Sequence, residues 1–182
     1  KGTELFVTDC SDTPGGFTGG SKAYGGSVNV VAGSTMNLYA GEFYGNTAPS
    51  SEGGAIYLQG GNNNDGVLPG GIFNMYGGKI HDNTAGIGGG IRAAGLGSNG
   101  GDVPSVLNIY GGEIYNNKTF YKLDAEGKPS DIQGEGGAIA ATNGTTVNIY
   151  GGTISKNVAE DDGGAIRDLD DMFTEEGASG ES

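Results

Sequence analysis

NIYGG stands at residues 108–112 and again at 148–152, and looser copies, NLYAG and NMYGG, stand at 37–41 and 74–78. The blocks begin at Asn37, Asn74, Asn108 and Asn148, so their spacings are 37, 34 and 40. Six residues further on, each copy has a large apolar residue: Phe43, Ile80, Ile114 or Ile154. Nine residues on, each has a second asparagine: Asn46, Asn83, Asn117 or Asn157. Offsets held through all four copies describe a rigid unit.

A second motif interleaves with the first: GGSV at 25–28, GGAI at 53–56, GGGI at 88–91, and GGAI at 136–139 and 163–166. Its shortest periods are 27 and 28 residues, and the longer ones carry insertions at fixed junctions. Periods of this size mark stacked supersecondary units.

Within one unit the apolar period is two. In TVNIY (146–150), Val147 and Ile149 fall on one side and Asn148 and Tyr150 on the other. GTIS (152–155) and GGAIAA (136–141) read as two more short extended pieces. No segment shows a 3.6-residue apolar stripe of helical length. Three short strands with glycine corners in about 27 residues fit one coil of a parallel β-helix, with hydrogen bonds running between coils about 4.8 Å apart.

Each coil must then lay like side chains over like. The expected inward ladders are Met36/Phe73/Leu107/Val147, Leu38/Met75/Ile109/Ile149, Phe43/Ile80/Ile114/Ile154 and Val28/Ile56/Ile91/Ile139/Ile166. Paired glycines belong at corners, where positive φ or close approach of backbones is needed. Asn46, Asn83, Asn117 and Asn157 belong at another corner. There they read as a structural ladder, bonding to one another and to the turn backbone, in preference to a ligand site.

Bulk composition agrees. Forty glycines among 182 residues are about three times the usual share, yet they lack the every-third-residue period of collagen. A net charge of −13, with nine Lys and Arg, makes nucleic acid and anionic membrane poor partners. The single Cys10 excludes an internal disulfide. The chain has neither an initiator Met nor a run of 18 apolar residues. It therefore reads as a piece of a longer polypeptide, with no direct membrane insertion in this segment and any export signal or anchor outside it.

GGAI paired with FYGN (43–46), and the variants IHDN (80–83), IYNN (114–117) and ISKN (154–157), resemble the GGA(I/L/V) and FxxN repeats of polymorphic outer-membrane protein adhesins. They are also similar to the right-handed β-helix repeats of large bacterial surface proteins. The resemblance spans roughly residues 25–167; three of its four copies have Ile where that pattern has Phe. It implies adhesion or surface display at a bacterial cell surface or outside the cell, with a glycan or a host or neighbour-cell protein as partner.

The expected fold is thus all-β: a single-stranded right-handed parallel β-helix, a solenoid of about five coils of three short strands with loop insertions. Residues 1–24 read as an N-terminal cap or incomplete first coil, 25–167 as the β-helix, and 168–182 as a C-terminal cap remnant and acidic linker. Insertions at 59–71 and 94–104 share one junction on neighbouring coils, and a third lies at 118–135. Loops on a rigid scaffold are where recognition usually sits.

The search for chemistry yields binding candidates and no catalytic set. Outward Tyr39, Tyr76, Tyr110 and Tyr150 form a stripe, read either as mutual stacking or as a ligand-binding platform for glycan or peptide. A second outward row is Tyr44, His81, Tyr115 and Ser155. The row after the last ladder, Asn29/Tyr57/Arg92/Ala140/Arg167, offers no carboxylate pair for a glycoside hydrolase. Asp82, beside His81, is a lone candidate. A polysaccharide lyase or hydrolase, or its inactive remnant, is therefore the alternative to a non-enzymatic module. No cofactor is expected; Ca2+ at NNND (62–65) or EDD (160–162) is the alternative, although neither run matches an EF-hand loop or the GGxGxD nonapeptide.

Overall fold

The computed structural model describes residues 2–10, 15–61, 68–95, 103–121, 134–142 and 144–168. Among them the chain makes five successive coils. β1 (Glu4–Val7), β2 (Gly16–Thr18) and β3 (Val28–Val30) form the first. The second holds β4 (Thr35–Leu38), β5 (Glu42–Tyr44), β6 (Thr47–Glu52) and β7 (Ile56–Leu58). The third holds β8 (Ile72–Met75), β9 (Lys79–His81), β10 (Thr84–Ile87) and β11 (Ile91–Ala93). The fourth holds β12 (Val106–Ile109), β13 (Glu113–Tyr115), β14 (Lys118–Thr119) and β15 (Ile139–Ala141). β16 (Thr146–Ile149), β17 (Thr153–Ser155) and β18 (Ile166–Asp168) complete the fifth.

Equivalent strands pair in parallel from coil to coil. The first sheet runs β1-β4-β8-β12-β16, the second β2-β5-β9-β13-β17, and the last β3-β7-β11-β15-β18. The molecule is a right-handed parallel β-helix. The register sets Met36, Phe73, Leu107 and Val147 in one column and Phe43, Ile80, Ile114 and Ile154 in another. Phe43, Phe73, Met75, Ile80 and Leu107 are fully buried in one continuous core. Each such side chain contributes about 1.5–3 kcal/mol by leaving water. Residues 4–18 supply strands in the same register: Leu5 lies over Met36, and Phe17 stacks on Phe43 with ring centroids 4.6 Å apart. Beyond Asp168, the expected cap and linker lie outside the described residues.

One element goes beyond the three strands read from the sequence. After the asparagine corner, β6, β10 and β14 pair as a fourth, shorter sheet. Its inward column is Ala48, Ala85 and Thr119, all buried. The segments TAPSSE and TAGI place one small residue inward, so they carry no alternating apolar signal. Pairing with the neighbouring coils makes them strands.

The two glycines of each GGA corner have separate tasks. The first adopts φ between +62° and +71° in all five copies: Gly25, Gly53, Gly88, Gly136 and Gly163. The second lies against the next coil. A Cβ on Gly54 would sit 2.0 Å from the Gly89 carbonyl oxygen, and one on Gly89 would sit 2.3 Å from that of Gly137.

Candidate functional site

The asparagine corner follows directly from this stacking. Asn83 Oδ1 accepts from both the backbone N–H and Nδ2 of Asn46, each at 3.0 Å. Asn83 Nδ2 donates back to the Phe43 carbonyl at 2.9 Å and forward to Asn117 Oδ1 at 2.9 Å. Asn117 repeats the pattern, donating to the Ile80 carbonyl and to Asn157 Oδ1, each at 3.0 Å. Each interior asparagine therefore ties three coils together. At the first coil the equivalent position is Gly20, whose N–H donates to Asn46 Oδ1 at 3.0 Å. The preceding residue of the corner is left-handed in every coil: Gly19, Gly45, Asp82, Asn116 and Lys156 have φ from +54° to +72°.

A second asparagine column lies on the outer face of the first sheet. Asn74 Nδ2 donates to Asn37 Oδ1 at 2.9 Å, Asn108 to Asn74 at 2.8 Å, and Asn148 to Asn108 at 2.8 Å. Asn37 Nδ2 ends the run on Glu4 Oε1 at 3.0 Å. Sequence reasoning used these residues as rulers and missed them as a ladder. The signal was present, because an invariant polar residue on an outward strand position at coil period has only its own copies beside it.

Two residues further along, the tyrosine stripe is a continuous stack. Tyr39–Tyr76, Tyr76–Tyr110 and Tyr110–Tyr150 have centroids 4.8, 4.9 and 4.9 Å apart and interplanar angles of 10° or less. Each pair is worth roughly 0.5–1.5 kcal/mol beyond its buried area. Inner rings thus lend their faces to one another and present edges and hydroxyls to solvent, with Tyr76 and Tyr110 43% and 45% exposed.

On the second sheet, His81 is sandwiched between Tyr44 and Tyr115, at 5.3 and 4.7 Å. Its Nδ1 lies 2.6 Å from Asp82 Oδ2, and its Nε2 lies 3.5 Å from Glu42 Oε2. Lys79 Nζ donates to Glu42 Oε1 at 2.9 Å. That bond, with lesser help from His81, holds the Glu42 carboxyl below its ordinary range and raises the Lys79 ammonium in turn. Burial raises the Tyr115 phenol.

On the outer face of the last sheet, part of the outward row is covered. Arg92 and Ala140, which point outward by register, are both buried, and Ala140 packs on Ile87. Arg92 Nε donates to Glu52 Oε2 at 3.0 Å, while its Nη1 is buried without a hydrogen bond. Burial pushes the neighbouring Tyr57 phenol up to about 12. Glu135 is 4% exposed, and its Oε2 is also without a partner. Burial raises its carboxyl above the ordinary range, against the pull of Arg167. The folded carboxyl takes a proton more readily than the unfolded one. Its contribution is thus full in acid and is lost as pH rises above the ordinary carboxylate value of 4.5. Glu135→Gln is accordingly expected to raise Tm at pH 7, a gap that closes as pH falls below that value; thermal scans across pH read it directly.

The EDD run is engaged with protein groups. Glu160 Oε2 accepts from the Tyr121 N–H at 2.8 Å, and Asp162 Oδ2 lies 3.7 Å from Arg167 Nη2. Among the described residues no group of three or more His, Cys, Asp or Glu is arranged to hold a metal ion. NNND (62–65) lies outside them. The roots of the first two insertions touch, with the Gly61 N–H donating to the Val103 carbonyl at 2.6 Å. No helix among the described residues is long and apolar enough to cross a membrane.

These features define a solenoid repeat protein whose coils are tied by asparagine and aromatic ladders. Within it, the Chlamydia polymorphic membrane protein (Chlamydia_PMP) repeat matches residues 41–59. That short stretch runs from the left-handed Gly41 through β5, the Asn46 corner and the GGA corner to β7. The chain therefore carries a repeat similar to that of a bacterial membrane-protein family. Comparison with curated proteins and with solved structures gives no match.

Proposed function

We propose that this chain is a non-enzymatic β-helical module of a bacterial surface or secreted protein, serving adhesion or display. It contacts a glycan or protein through the 59–71 and 94–104 insertions and the tyrosine stripe. The observation that supports this reading best is the parallel register of the three five-stranded sheets, which runs through all five coils and makes a continuous lateral surface. The repeat match at 41–59 supports the bacterial surface setting. Among the described residues, the arrangement that favours a polysaccharide-active enzyme instead is the His81–Asp82 pair at 2.6 Å.

A panel of cells, proteins, and neutral and uronic polysaccharides, with and without Ca2+, separates the two. The expected outcome is saturable binding without cleavage, weakened by deleting 59–71. Cleavage that disappears in Asp82→Asn contradicts the proposal.

A further inference from the structure

We propose that the outer face of the first sheet binds a neutral linear polysaccharide laid along the coil axis, about one sugar per coil. This rests on the reading of the chain as a binding module and narrows it to a ligand class. The spacing carries the inference furthest. Tyr39, Tyr76, Tyr110 and Tyr150 repeat every 4.8–4.9 Å, a step fixed by coil stacking. An extended pyranose chain advances by a comparable step per sugar, so successive sugars meet identical groups.

The chemistry fits sugar hydroxyls better than a sugar ring face. The inner tyrosine faces are taken up by their neighbours, which leaves a row of exposed edges and hydroxyls. Beside them, Asn74 and Asn108 each use one amide N–H and accept one bond within the column. Each keeps a second N–H and a second carbonyl lone pair. A donor and an acceptor side by side, next to a phenol, match the vicinal hydroxyls of a sugar.

Charge selects among glycans. The outward columns of this sheet from the second coil to the fifth are Thr35/Ile72/Val106/Thr146, the asparagines and the tyrosines. None of these residues is charged, in a chain of net charge −13 that repels polyanions. The array begins at the second coil, because Glu4 and Phe6 stand over Thr35 and Asn37 in the first. The face is open, so affinity accumulates from repeated weak contacts along the ligand.

The test is calorimetry of the whole chain with neutral β-linked oligosaccharides of increasing length, alongside uronic-acid oligomers and the protein panel. Affinity is expected to rise about tenfold from a disaccharide to a tetrasaccharide and then level off, with no binding of uronic oligomers. Tyr76→Phe and Tyr110→Phe keep the ring stack and its Tm, and each is expected to weaken tetrasaccharide binding about fivefold through a lost hydroxyl bond. Length-independent affinity, or unchanged binding by both Phe variants, overturns the inference. Binding only to protein, or glycan binding lost with the 59–71 loop and not with the hydroxyls, also overturns it but leaves the adhesion reading standing. Absence of any ligand, cell surfaces included, overturns both.

Discussion

Gly54→Ala is expected to destabilise the fold by roughly 4 kcal/mol or more, enough to abolish the folded state in many backgrounds. The new Cβ would lie 2.0 Å from the Gly89 carbonyl oxygen and 2.9 Å from the Thr84 backbone nitrogen. Both are backbone atoms of the next coil, which inter-coil hydrogen bonds hold in place: Thr84 N–H donates to the Asn46 carbonyl at 3.0 Å and Gly54 N–H to the Gly88 carbonyl at 3.1 Å. Room can be made only by prising two coils apart, which breaks ladder bonds on several faces at once. Gly89→Ala and Gly137→Ala meet the next coil at 2.3 Å and should behave alike. Gly164 holds the same motif position in the fifth coil, but its Cβ would find its nearest described neighbour, the Asn157 carbonyl oxygen, at 3.7 Å. Gly164→Ala is therefore expected to change stability by about 0.5 kcal/mol or less. Urea unfolding of the four variants measures this, and equal losses at Gly54 and Gly164 would show that coil contact is not what the glycine serves.

Asn83→Ala is the second large effect. The side chain is fully buried and makes four hydrogen bonds spanning three coils. Its removal leaves the Asn46 backbone N–H and the Phe43 carbonyl without these partners in a buried site, while Asn117 Oδ1 keeps only the bond from the Asn83 backbone N–H. Unsatisfied buried groups cost about 1–3 kcal/mol each, and partial relaxation brings the expected total to roughly 4 kcal/mol, or about 10 °C in Tm. Asn157 sits at the end of the column and is partly exposed, so Asn157→Ala should cost about half as much. A thermal scan that ranks Asn157 above Asn83 would contradict the three-coil clamp.

The coil was legible because its constraints are periodic. An apolar column needs a similar residue once per coil, and the GGA and NIYGG blocks state that requirement in plain letters. The asparagine corner was legible for the same reason, since Asn46, Asn83, Asn117 and Asn157 keep one offset. The fourth sheet was not, because Ala48 and Ala85 are too small to mark an inward face and Thr119 is polar. Nor was the burial of Arg92 and Ala140: alternation assigned them to the outside, and local sequence does not say what packs over an outward position. The stacking of the tyrosines followed from their period. What they contact beyond one another depends on chemistry that repetition alone does not encode.

The most direct test of the stacked-coil account is side-chain amide NMR of the corner asparagines. Stacked coils require nuclear Overhauser contacts running in series from Asn46 to Asn83, Asn117 and Asn157, with the interior amides protected from solvent exchange. Amide protons at Asn83 and Asn117 that exchange at the rate of free asparagine, or that contact only their sequence neighbours, would contradict it.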